Sequence, residues 1–84
     1  MENHDLYQVL RQHDEGHLSL FDVEDWITSR EEHWASLPAT APERQAADTI
    51  MLAIYEMDAG DRDKKSVDTI VRQAFRDLAA AQRV

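Results

Sequence analysis

Val67-Asp68-Thr69-Ile70-Val71-Arg72-Gln73-Ala74-Phe75-Arg76-Asp77-Leu78 decides the fold class. Its apolar members Val67, Ile70, Val71, Ala74, Phe75 and Leu78 recur at steps of three and four. That repeat lines one side of an α-helix. A half-buried strand would alternate instead, and no stretch of the chain does so. Upstream, Asp63 is positioned to cap this helix, and Gly60 to end the one before it.

The preceding helix is expected over about 41–59. Thr40 with Glu43 reads as a capping box, and Pro42 is tolerated in a first turn. Ala46, Ile50, Ile54 and Met57 form its apolar stripe, while Leu52 and Tyr55 project well away from it. Pro38-Ala39-Thr40-Ala41-Pro42 is the turn-rich connector to the first half of the chain. There, Leu6, Val9 and Leu10 share one helical side, Gly16 ends that helix, and Ser19 with Asp22 forms another capping box. Leu20, Val23, Ile27 and Trp34 then follow helical spacing to about Leu37.

The expected architecture is all-α, a single domain over 1–84. Four helices near 3–14, 20–36, 41–59 and 64–82 form a small bundle of two antiparallel helical hairpins. The first hairpin occupies about 3–37, the connector 38–42 and the second hairpin about 43–84. A shift of 44 residues lays Asp14, Gly16 and Val23 on Asp58, Gly60 and Val67, so each hairpin turns at a Gly. The expected core is Leu6, Leu10, Val23, Ile27, Trp34, Ile50, Ile54, Val67, Ile70, Val71, Phe75 and Leu78. Truncating Phe75 to Ala is expected to cost about 3–5 kcal/mol.

Composition narrows the functional classes. The 84 residues carry a net charge of −8 and no Cys, which removes disulfides, thiolate metal sites and thiol nucleophiles. Residues 1–42 hold nine acids against two bases, whereas residues 43–84 hold eight against seven. Nucleic-acid binding needs the opposite sign, so no nucleic-acid partner is expected. No apolar run approaches the ~20 residues of a membrane span, and Met1–Asp5 has no signal-peptide character. The expected location is cytoplasmic, with no membrane partner.

No cofactor or metal site is expected. His13 and His17 are four apart, but Gly16 breaks the helix between them, and His4 and His33 have no clear partners. Asp58-Ala59-Gly60-Asp61-Arg62-Asp63 has the composition of a calcium loop. It nevertheless puts Gly60 and Arg62 where that loop requires acids, so these carboxylates read as caps. No phosphate loop or nucleophile motif occurs, and the carboxylate pairs Glu24–Asp25 and Glu31–Glu32 point away from each other. The chain therefore reads as a non-catalytic protein.

Two surfaces remain. On the second helix Asp22, Asp25 and Glu32 share a side, with Phe21 and Trp26 at its edges. These five residues are the expected contact face for a basic protein partner. On the third helix Met51, Leu52 and Tyr55 form a second apolar side, and the alternative reading is a structural or regulatory homodimer assembled through it. Lys65, Arg72, Arg76 and Arg83 fall within a wedge of roughly 40° on the last helix, a basic stripe balanced by an Asp68–Arg72 pair.

Overall fold

Both helical turns that reverse the chain close in the same way. In the computed structural model, which describes residues 5–81, Gly16 and Gly60 each have a φ of 85°, a conformation that Gly adopts at no steric cost. Gly16 N–H donates to His13 O (3.1 Å) and His17 N–H to Gln12 O (2.8 Å). The second turn repeats this with Gly60 N–H to Met57 O (3.1 Å) and Asp61 N–H to Glu56 O (2.8 Å). These are paired Schellman bonds that satisfy the last helical carbonyls. Each turn then leads into a side-chain cap. Ser19 Oγ accepts from Asp22 N–H (3.1 Å), and Asp63 Oδ1 accepts from Ser66 N–H (2.8 Å).

Among the described residues the fold is all-helical, five helices joined by turns and without strands. These are α1 (Leu6–Asp14), α2 (Leu20–Thr28), α3 (Glu31–Ser36), α4 (Pro42–Asp58) and α5 (Lys64–Ala81). The expected limits at residues 3 and 82 lie outside the described residues. α1 starts at Asp5, whose Oδ1 accepts from Gln8 N–H (3.0 Å). The Ser19–Asp22 capping box forms in full, with Ser19 N–H donating back to Asp22 Oδ2 at 3.0 Å. Ser19→Ala should cost about 1 kcal/mol of stability. A urea titration reads this directly, and an unchanged midpoint would mean that the box contributes nothing.

The expected single helix over 20–36 is two helices, and the reason is local. Thr28 Oγ1 donates to Glu24 O (3.0 Å), and Ser29 Oγ donates to Trp26 O (2.9 Å). The Ser29 hydroxyl thus takes Trp26 O, which a continued helix would leave to Arg30 N–H, and Arg30 N–H turns to Ile27 O instead (3.1 Å). Arg30, at φ −120° and ψ 33°, turns the chain into α3. Trp34 bridges the break, its indole N–H donating to Ile27 O at 2.8 Å.

The expected Thr40–Glu43 capping box does not form. Pro42 occupies the first position of α4, and Ala41 takes the N-cap with no side-chain hydrogen bond. The residue before a proline is held extended, as Ala41 is at ψ 130°, which leaves Thr40 one residue too far out.

Leu6, Leu10, Val23, Ile27, Trp34, Ile50, Ile54, Val67, Val71 and Leu78 are buried as expected. Ile70 and Phe75 are only half-buried, packed at the margin of the core. Phe75 meets Tyr7 of α1 with ring centroids 5.4 Å apart. Small residues take the space instead: Ala46, Ala47, Ala53 and Ala74 are buried, together with Val9 and Leu20. Ile70 opens onto a groove between α4 and α5 that Ala46 and Ala74 also line, and Phe75 turns toward α1, so both stay at the margin.

Candidate functional site

The described residues hold no group of three or more His, Asp or Glu side chains arranged to take a metal ion. His13 is committed to structure, its Nδ1 lying 2.9 Å from Leu18 O across the first turn. His33 lies edge-on against Trp34, with ring centroids 4.9 Å apart. His4 lies outside the described residues.

A polar cleft between α1 and α5 is lined by His13, Asp14, Lys64, Asp68 and Arg72. Its charges neutralise one another. Arg72 reaches across to Asp14 (3.4 Å), and Lys64 pairs with Asp68 (3.0 Å). The expected Asp68–Arg72 pair is therefore replaced by two others, because α1 presents Asp14 to Arg72. Within the basic stripe this leaves Lys65 and Arg76 as the unpaired cations among the described residues. Arg83 lies outside them.

The five residues expected to meet a basic partner do not form one face. Glu32 stands on α3, beyond the break at Ser29–Arg30, so its helical register with Asp22 and Asp25 is lost. The Asp22 carboxylate is occupied by the capping box. Trp26 is half-buried and covered by its own chain. The Arg30 guanidinium lies 4.0 Å from the centre of its ring, a cation–π contact, and Trp34 packs beside it with ring centroids 5.9 Å apart. Asp25 is exposed, and Phe21 is 76% exposed.

The three residues expected at a dimer interface fare differently. Leu52 is 59% exposed and Tyr55 61% exposed, the only large apolar side chains besides Phe21 left in the open among the described residues. Met51 is half-buried beside them.

The structure joins parts of both expected surfaces into one. Leu37 O accepts a hydrogen bond from Arg44 Nη1 (2.7 Å), so the end of α3 lies at the start of α4 and the chain doubles back. An open groove of about 320 Å³ follows, lined by Ile27, Thr28, Glu31, Trp34, Ala47, Asp48, Met51 and Tyr55. Helical spacing extends each wall. On α2, Phe21, Glu24 and Thr28 lie at steps of three and four, and on α4, Asp48, Met51, Tyr55 and Asp58 do the same. The groove itself sets Met51 and Tyr55 beside Glu31 and Asp48, while Phe21, Glu24 and Asp58 continue the helical rows of its walls and Leu52 is exposed on α4 outside the lining.

The border is charged and largely unpaired. Glu24, Glu31 and Asp58 have no cation partner among the described residues, and Asp48 has only a distant contact with Arg44 (3.9 Å). Sequence reasoning missed the contribution of Glu24, Glu31, Asp48 and Asp58. The signal was present in their spacing, but only the packing of α2 against α4 puts the two rows side by side. Compared with protein-family models, with curated proteins and with solved structures, the chain matches none.

Proposed function

We propose that the chain is a non-catalytic interaction protein whose α2–α4 face docks a basic protein surface. Two antiparallel hairpins, α1 with α2–α3 and α4 with α5, serve as its scaffold. The observation that carries this reading is the groove in which exposed Tyr55 and half-buried Met51 meet Glu31 and Asp48, with Phe21, Glu24 and Asp58 continuing its helical rows. Apolar area supplies affinity, while the acidic border supplies encounter rate and partner choice. A cysteine-free chain needs no oxidising compartment, which supports a cytoplasmic setting.

Self-association through Met51, Leu52 and Tyr55 is the second reading, favoured by the exposure of Leu52 and Tyr55. The border weighs against it, because a two-fold contact brings carboxylates toward carboxylates between chains of net charge −8.

The test replaces Glu24, Glu31 and Asp58 by Lys, leaving the Asp22 cap intact, and carries a photo-crosslinker at position 52. Bait with the native acids should capture a basic protein from cells of its source. The triple variant should associate with it at least about tenfold more slowly, with a weaker dependence on salt. Empty capture, or a partner indifferent to charge reversal, overturns the reading. Sedimentation of the native chain and Tyr55→Glu addresses the rival. A native dimer that Tyr55→Glu dissolves would establish the homodimer instead.

A further inference from the structure

We propose that the occupant of the α2–α4 groove is a short basic amphipathic helix of the partner, laid between the two rows as an added member of the bundle. This inference rests on the docking reading above and specifies the partner's shape.

The first argument is backbone chemistry. The groove is walled by side chains of α2, α3 and α4, whose own amides and carbonyls are spent within those helices. Among the described residues there is no strand edge to which an extended peptide could pair. Such a peptide would lay unpaired N–H and C=O groups over Ile27, Trp34, Ala47 and Met51, at the cost of their lost hydration. A helix arrives with those bonds already made internally, leaving only side chains to be accommodated.

The second argument is dimension. Ala47 to Tyr55 along α4 spans about 12 Å at the helical rise, so the facing helix needs about eight residues, or two turns. Met51 and Tyr55 stand one turn apart on the opposite wall. They match partner side chains recurring at the same three- and four-residue steps.

Charge is the third argument, and it selects the sign. Glu31 and Asp48 line the groove itself, and Glu24 and Asp58 continue the helical rows of α2 and α4 beyond it. Lys or Arg on both flanks of the partner helix would meet carboxylates that lack compensation in the free protein. A second copy cannot match this from its own basic stripe, where Lys65 and Arg76 are the free cations among the described residues.

The experiment uses the full chain and a displayed library of random peptides about 14 residues long, enough for two turns and their ends. Selection is made against the native protein and counter-selected against Leu52→Glu/Tyr55→Glu. Enriched sequences should carry apolar residues at three- and four-residue steps with Lys or Arg between them. Synthesised singly, they should gain helical circular dichroism on binding and lose at least about tenfold in affinity to the double variant. Basic peptides rich in Pro, or lacking helical spacing, would overturn the helix while sparing the basic-partner reading. Acidic or neutral winners would overturn both. A library that enriches nothing over the double variant would mean that the groove takes no peptide helix, and the capture experiment would still decide the broader reading.

Discussion

Ile50→Ala should leave the protein largely unfolded at room temperature. Ile50 lies in the middle of α4 with 0% of its surface exposed, enclosed by the buried cluster to which every helix but α3 contributes an aliphatic side chain. Removing three carbons there loses about 2–5 kcal/mol, through lost transfer energy and the cavity left behind. A domain of this size has about 3–5 kcal/mol in hand. Phe75→Ala, by contrast, should cost only about 1–2 kcal/mol, because half-burial leaves less to lose. That is well below the cost expected from its place in the helical repeat. Urea denaturation followed by circular dichroism ranks the two variants. If Phe75→Ala proves the more damaging, the face of α5 that meets the core has been misassigned.

Trp34→Ala should be nearly as severe, at about 3–5 kcal/mol, for a reason that extends beyond lost area. The Trp34 ring fills the corner between α2 and α3, and its N–H reaches back to Ile27 O across the break. Trp34→Phe separates these contributions, since it keeps much of the ring and removes the donor. The expected loss is then about 1 kcal/mol, the net value of one hydrogen bond. Amide exchange should quicken over residues 28–34 in Trp34→Phe while α5 stays protected. Uniformly faster exchange would show that the bond stabilises the whole molecule rather than the corner.

The sequence made the helical class, the two Gly turns and the Ser19 and Asp63 caps legible, because each depends on residues within one or two turns of chain. The same locality explains most of the core, since Val67, Val71 and Leu78 lie on a repeat that no other element can alter. Ile70 and Phe75 belong to the same repeat, yet sit at its margin, Ile70 beside an open groove between α4 and α5 and Phe75 against Tyr7 of α1. The break at Ser29–Arg30 was misread because Trp34 is in register with Val23 and Ile27 and buried in either arrangement. Only the Thr28-Ser29 pair hinted at it. The acidic groove was the least legible feature. Phe21 and Tyr55 are 34 residues apart, and only the return of the chain along α4 brings their rows together.

The matched turns at Gly16 and Gly60 also bear on how the molecule comes into being. Each closes through hydrogen bonds spanning six residues, so its loop-closure entropy is small and does not depend on the rest of the chain. Neighbours in sequence become neighbours in space, the low contact order that goes with folding in microseconds to milliseconds. The two helices flanking each Gly can then register before distant elements meet. Until those elements meet, α4 has yet to complete the burial of Ile50 and Ile54, and Leu52 and Tyr55 stay exposed even in the folded molecule. A newly made chain is therefore at its most adhesive in the interval between two fast local closures and that meeting, and its acidic first half keeps like chains apart while that interval lasts.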